Sequence, residues 1–252
     1  MPDHHTQPVW LFIATQPSSG STLLADLLFS IPGVGCLEPR AEGQWLIPDL
    51  IANTQRWDPS FPADFSEVRR LWTKAAFDKA RGSRVIVEKS PPNLCRMSRL
   101  LDAFSDRPTH LLLLTRDPFA MVQSWMSRYP RGHLLKVWFP ETHNKNGDML
   151  DFYRLLGRLC GERFAMLESL RSRSDGWISY EAMVRNPIAS VRSITRDLEG
   201  FEDFEADSSA LSVLGNRNAL MRAELTAESE DAIRQGLAPF AASVEVFGYS
   251  LD

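Results

Sequence analysis

Val9-Trp-Leu-Phe-Ile-Ala-Thr-Gln-Pro-Ser-Ser-Gly-Ser-Thr-Leu-Leu-Ala-Asp-Leu-Leu28 decides how this chain is read. Val9 to Ala14 is a short apolar run rich in β-branched and aromatic residues, the pattern of a strand buried on both faces. Thr15 to Gly20 is small and polar, punctuated by Pro17 and Gly20. From Ser21 onward Leu23, Leu24, Leu27 and Leu28 recur at helical spacing. A strand, a tight turn and a helix leave backbone N–H groups unpaired at the positive end of the helix dipole, which makes an anion site with phosphate as its natural occupant. The competing reading is an ordinary strand-to-helix turn capped by Ser or Thr. A loop for ATP or GTP needs Lys just before the final Ser/Thr, whereas here Gly20 runs directly into Ser21.

Working outward, Val85–Val87, His110–Leu114 and Gly176–Tyr180 read as further short strands. Helical patterns fall over Phe65–Ala80, Leu94–Phe104, Met149–Leu170 and Ile188–Leu198, and a final helix follows Asn216-Arg-Asn218 with Thr226 as a cap. Ile31–Gly35 reads as a turn, residues 128 to 149 as a long polar loop, and Phe201–Asp207 as a solvated acidic stretch. Strands alternating with helices predict an α/β fold, a three-layer α/β/α sandwich with a central parallel sheet, in one domain over residues 1–252.

Candidate chemistry lies at the strand ends, where open α/β sheets bind ligands. Lys89 follows the second strand in Glu88-Lys-Ser-Pro-Pro92, though a surface lysine beside a proline-stopped turn has the same appearance. Arg116 follows the third, and Arg suits bidentate phosphate contacts. Ser124 falls two turns into the next helix, which Asp117-Pro118 starts. Glu38 and Glu42 are either solvated loop charges or a base facing the anion site. His133 and His143 sit in the polar loop, and His110 packs in or beside its strand. Trp45, Trp57 and Trp72 among prolines suit a lid or acceptor pocket, and equally a packed loop.

The bulk numbers exclude several classes. With 44% hydrophobic and 24% charged residues the chain is an ordinary globule. A net charge of −4 gives no electrostatic case for nucleic acid or an anionic membrane as main partner. Cys36, Cys95 and Cys160 are widely spaced, with no metal-ligand pattern, so a reducing, cytoplasmic location is expected and no metal. The first strand begins by residue 9, which leaves no room for a signal peptide, and no apolar run approaches the roughly 20 residues of a membrane span.

Four segments in order resemble the sulfotransferases that use 3′-phosphoadenosine 5′-phosphosulfate (PAPS). Pro17-Ser-Ser-Gly-Ser-Thr22 is similar to their first motif, Pro-Arg/Lys-Ser-Gly-Thr/Ser-Thr. Arg116-Asp-Pro with Ser124 and Trp125 resembles the second, while Glu88-Lys-Ser-Pro91 and Tyr180-Glu-Ala-Met-Val-Arg-Asn-Pro187 resemble two others. The resemblance implies a P-loop-like sulfotransferase fold and a set of roles. The loop around Ser18, through Ser19, Gly20, Ser21 and Thr22, would hold the 5′-phosphosulfate. Arg116 and Ser124 would hold the 3′-phosphate, Tyr180 would lie near the adenine, and Arg217 would close over the 3′-phosphate, with Arg222 competing. Glu38 sits where carboxylate-base members such as the trehalose and tyrosylprotein sulfotransferases keep their base; Glu42 fits if the loop has gained a residue, and His133 stands behind both.

One departure matters. Most members carry Arg or Lys where this chain has Ser18, and that cation neutralises charge on the bridging oxygen as the sulfuryl group leaves. Its loss costs several kcal/mol, on the scale of one oxyanion-hole donor, roughly 3–4 kcal/mol, unless another group takes over. Lys89 is the nearest candidate, and sulfotransferase domains of polyketide and olefin biosynthesis also look short of this Arg. The expected activity is sulfuryl transfer from PAPS to a hydroxyl of a small or carrier-bound acceptor, leaving 3′,5′-ADP (PAP). The rival readings are a protein of this fold that binds PAP or PAPS without turnover, and a P-loop kinase, against which the missing Walker lysine argues. Neither the acceptor nor the oligomeric state is legible.

Overall fold

The computed structural model describes residues 7–51, 57–60, 62–139, 147–201 and 215–251. Five strands, β1 (Val9–Thr15), β2 (Val34–Cys36), β3 (Val85–Glu88), β4 (Thr109–Thr115) and β5 (Gly176–Ser179), form one sheet in the order β2-β3-β1-β4-β5. All pairs are parallel, with Val9 opposite Val85, Trp10 opposite Thr109, Val34 opposite Val85 and Leu112 opposite Gly176. Central β1 is buried along its whole length, which is why it reads as an unbroken apolar run rather than an alternation.

Along that run successive side chains still go to opposite faces. Trp10, Phe12 and Ala14 enter one core with Ile86, Leu111 and Leu113, while Val9, Leu11 and Ile13 enter the other with Val85, Val87, Leu112 and Leu114. The chain covers the second face with α1 (Ser21–Phe29), then crosses a four-residue α2 (Pro48–Ile51) to reach α3 (Phe65–Lys79), α4 (Met97–Ala103) and α5 (Pro118–Arg128) on the first. Next come α6 (Arg131–Val137) and the long α7 (Met149–Ser169), again on the first face. The chain returns to the second with α8 (Tyr180–Arg185) and α9 (Pro187–Thr195). Last come α10 (Asn218–Ala223), α11 (Ala227–Leu237) and α12 (Ala241–Glu245). The three-layer α/β/α expectation is met.

The first core is aromatic. Trp10 lies 4.7 Å from Phe104 and 6.4 Å from Trp72 by ring centroids, and all three rings are fully buried. Each such ring contributes about 2–3 kcal/mol by burial. Arg163 of α7 is also buried there, its guanidinium 3.9 Å from the ring centre of Trp57, 4.9 Å from Trp138 and 5.2 Å from Trp125. Burial pulls its pKa down to about 10. Helices α7 and α11 touch backbone to backbone: a Cβ on Gly157 would stand 2.4 Å from the Ile233 carbonyl, and one on Gly236 2.1 Å from that of Arg154.

Several boundaries depart from the sequence reading. Ile31–Gly35 is not only a turn, because Val34–Cys36 pairs with β3 as a three-residue edge strand. Such a strand is too short to show a period. The loop expected over residues 128 to 149 contains α6, which docks through the buried Leu134. Leu94–Phe104 becomes helical only from Met97, since Pro91 and Pro92 impose a 3₁₀ segment over Pro91–Arg96. The final helical region divides into α10, α11 and α12, with Thr226 capping α11 through Ser229 as expected. His143 and residues 202–207 of the acidic stretch lie outside the described residues; Phe201 is buried.

Candidate functional site

Strand β1 feeds α1 on one face of the sheet and β4 feeds α5 on the other. The chain therefore diverges beyond the carboxyl ends of β1 and β4, and that divergence opens the crevice where such sheets bind ligands. The loop from Gln16 to Gly20 lines it. Ser18 (φ 62°) and Gly20 (φ 93°) both adopt left-handed backbone. At Gly20 only glycine fits, because a Cβ would also lie 2.6 Å from Cδ2 of Tyr180. Gly20 occupies the N-cap of α1, and no side chain caps that helix. The capped-turn alternative thus fails, and α1 presents its first N–H groups to the crevice.

The loop is held from outside. Trp125 Nε1 donates to the Pro17 carbonyl at 2.8 Å and Gln16 Nε2 to the Cys160 carbonyl at 3.4 Å. The hydroxyls of Thr15 and Ser19 are hydrogen-bonded to each other. The Ser18 hydroxyl is buried without a partner.

Arg116, at the end of β4, crosses the crevice. Its Nη1 donates to the Ser18 carbonyl at 2.6 Å, its Nε to Asn218 Oδ1 at 2.8 Å, and its guanidinium lies 4.5 Å from the Tyr180 ring centre. Nη2 is buried without a partner. Burial lowers the Arg116 pKa against the pull of Tyr180, Glu181 and Asp117. Behind it is a network the sequence reading missed. Glu181 accepts from the Asp117 backbone N–H at 2.9 Å, from Tyr249 at 2.8 Å and from Asn218 Nδ2. The signal available was Glu181 itself, inside the Tyr-Glu segment; Asn218 and Tyr249 had none.

On the other side of the loop Lys89, 1% exposed, donates to Glu42 Oε1 at 2.9 Å and to Thr22 Oγ1 at 3.2 Å. Gln44 Nε2 and Trp45 Nε1 donate to Glu42 Oε2 at 2.9 and 3.1 Å. Burial pushes the Glu42 carboxyl up, but the Lys89 ammonium and these donors outweigh it and hold it below the usual carboxylate range. Glu38 instead pairs with Lys79 of α3. The two carboxylates part company because Arg40 (φ 67°) and Ala41 (φ 57°) turn the chain between them. Glu88 is buried and accepts from the backbone N–H groups of Gly43 (3.1 Å) and Ser90 (3.0 Å), from the Ser90 hydroxyl and from Asn93 Nδ2 (2.9 Å). Burial outweighs those donors and raises its pKa to about 7. Its acceptor atoms tie the Glu42 turn to the end of β3.

The remaining predicted residues are placed as follows. Tyr180 is buried at the start of α8, and its hydroxyl accepts from the Arg217 backbone N–H at 3.3 Å. The Arg217 side chain is exposed, while Arg222 is committed to Asp117 and Glu230. Ser124 is half-buried on α5. His133 is exposed on α6 and stacked on Tyr129. His110 is within β4, its Nδ1 3.2 Å from Asp175 Oδ1. Among the described residues no group of three His, Cys, Asp or Glu is placed to hold a metal ion, and no helix is long and apolar enough to cross a membrane.

Comparison with known proteins bears on the family and the fold. The model of the sulfotransferase family matches residues 8–203. Three solved structures share the fold. A sulfotransferase from Alicyclobacillus acidocaldarius is 19% identical with a TM-score of 0.58, over 96% of each chain. The sulfotransferase domain of the Synechococcus PCC 7002 olefin synthase is 19% identical with a TM-score of 0.51, over 100% of this chain and 99% of that one. A Mycobacterium avium sulfotransferase is 18% identical with a TM-score of 0.51, over 93% and 68%. No curated protein matches by sequence. The chain belongs to the sulfotransferase family.

Proposed function

We propose that the protein transfers a sulfuryl group from PAPS to a hydroxyl of a small or carrier-bound acceptor. The observation that carries this reading is Arg116: a guanidinium held across the crevice beside an uncapped helix N-terminus, with one buried nitrogen unpartnered. A buried donor without an acceptor is costly, and the 3′-phosphate of the donor is the anion that satisfies it. The residues fit the rest of that molecule. Ser19, Gly20, Ser21 and Thr22 offer backbone and hydroxyl donors to the 5′-phosphosulfate. Tyr180 lies beside Gly20 for the adenine, and Ser124 and Arg217 join Arg116.

Transfer of this kind asks for positioning and charge stabilisation more than covalent help. The acceptor oxygen forms a bond to sulfur as the bond from sulfur to the bridging oxygen breaks, its electron pair remaining on the 5′-phosphate. Glu42 receives the acceptor proton, a role supported by its ionised state and its place beside Lys89, which reaches Thr22 of the loop, whereas Glu38 is turned to Lys79 of α3. Lys89, in contact with Thr22, neutralises charge on the leaving oxygen where Ser18 brings none. Cys36, Cys95 and Cys160 are all free, which supports a reducing, cytoplasmic setting.

The test is a thermal-shift screen with 3′,5′-ADP, 5′-ADP and ATP, followed by single turnover of labelled PAPS. A ligand of the folded state raises the melting temperature by mass action, and this site should prefer 3′,5′-ADP. Preference for ATP overturns the reading. Binding of 3′,5′-ADP with no transfer to any of a broad acceptor panel favours a non-catalytic nucleotide-binding protein, the alternative for which Ser18 speaks.

A further inference from the structure

Arg163 of α7 is 1% exposed, and both its terminal nitrogens, Nη1 and Nη2, are buried without a hydrogen-bond partner. Three indoles, Trp57, Trp125 and Trp138, surround the guanidinium, with ring centres 3.9–5.2 Å away. Such contacts satisfy the faces of the cation, but its N–H groups point out from the edge and need acceptors. Trp57 Nε1, in the same cage, is a further buried donor without a partner. No anion of the protein answers them. Among the described residues no carboxylate pairs with Arg163; Glu162, its neighbour on α7, turns to Arg158 at 3.1 Å. Burial raises the thiols of Cys95 and Cys160, to about 11 for Cys95, so both stay protonated at neutral pH. A buried guanidinium without a counter-ion is costly.

The cage adjoins the loop after β1. Trp125, which forms one wall, donates to the Pro17 carbonyl, and Gln16 donates to the Cys160 carbonyl one turn before Arg163. The three indoles belong to the first core, whereas Tyr180, on the nucleotide side of the crevice, belongs to the second. Cys95, whose thiol is near enough to feel the Arg163 charge, is half-buried, which gives the neighbourhood of the cage access to solvent. It lies in Pro91–Arg96, the segment that follows Lys89 at the end of β3.

We propose that Arg163 recognises the acceptor: the molecule that presents its hydroxyl to Glu42 carries a carboxylate, and that carboxylate takes the paired N–H groups of this guanidinium. This rests on the sulfotransferase reading of the same crevice. The fork of an arginine matches the two oxygens of a carboxylate, and the indoles favour an apolar body between it and the hydroxyl. An ω-hydroxyalkanoate has that chemistry, whereas an uncharged alcohol leaves the buried cation unpaired.

The experiment uses ω-hydroxyhexanoate, ω-hydroxyoctanoate and ω-hydroxydodecanoate, each beside its uncharged methyl ester. Binding is measured by calorimetry with and without 3′,5′-ADP, and transfer from PAPS by steady-state kinetics, for wild type and Arg163→Met. Wild type should prefer at least one acid over its ester by tenfold or more, the size of one charge-assisted contact. Arg163→Met should erase that preference through KM, leaving 3′,5′-ADP affinity within twofold. Methionine keeps apolar volume and removes the unpaired cation, so the variant should stay folded, which its melting curve checks. Equal binding of acid and ester by wild type overturns the proposal and needs no variant. So does an acid preference that survives in Arg163→Met. An acid preference that Arg163→Met loses, in a protein whose wild type does not bind 3′,5′-ADP, is a different result: the donor reading falls, and the acceptor role of Arg163 falls with it.

Discussion

The Arg116 guanidinium donates through Nη1 to the Ser18 carbonyl at 2.6 Å, joining the end of β4 to the loop after β1 across the crevice. One side chain thus does two things. It holds the left-handed Ser18 backbone while its Nη2 stays buried without a protein partner.

Arg116→Ala should therefore weaken 3′,5′-ADP more than 5′-ADP, by about 1.5–3 kcal/mol for the charge-assisted contact that only the former makes. Both nucleotides should lose a smaller common amount because the loop is released. Calorimetry on the two ligands separates these parts, and equal losses contradict the clamp.

Glu42→Gln should lower turnover by about 10² or more with nucleotide affinity nearly intact, as expected for a lost general base. Glu38→Gln removes only the partner of Lys79 and should stay active. A dead Glu38→Gln beside an active Glu42→Gln reverses the assignment.

Lys89→Ala should abolish transfer and move the Glu42 pKa upward. Burial raises the carboxyl and Lys89 is foremost among the groups that lower it, so without the ammonium the pKa rises and the acid limb of any residual pH profile moves to higher pH. Ser18→Arg in that background should restore part of the activity. Ser18→Arg alone should do little, because a second cation repels Lys89. Near-normal transfer by Lys89→Ala rules the compensation out.

Glu88 gives the protein a pH-dependent stability of definite sign. Its folded pKa, about 7, lies above the ordinary 4.5. Between those values the folded state keeps a proton the unfolded chain has lost, so stability falls as pH rises through that window, by up to about 3 kcal/mol at about 1.4 per unit. Melting curves from pH 4.5 to 7 should show the decline, and Glu88→Gln should flatten it even at a lower overall melting temperature. An unchanged slope in the variant assigns the effect to another group.

The sequence by itself determined the sheet and its ligand end. Val9–Ala14 and His110–Leu114 are continuous apolar runs because both faces of a central parallel strand are buried. Pro17 to Gly20 marks the turn because left-handed backbone and close approach to Tyr180 require small residues. Lys89 and Arg116 were legible because a charge directly after an apolar strand has one place to be, the end of the sheet. Local periodicity carried all of this.

Only the tertiary structure decided what those charges face. Glu38 and Glu42 are equivalent in sequence; the turn at Arg40 and Ala41, pinned through Gly43 to Glu88, sends one to Lys79 and the other to Lys89. Strand β2 exists only because β3 offers it an edge. Asn218 and Tyr249 reach Arg116 and Glu181 from far along the chain, through a helix packing that no local pattern encodes. Hydrophobic period is a property of neighbours in sequence, whereas the pairing of polar groups belongs to neighbours in space, and at this site the chemistry lies in the pairing.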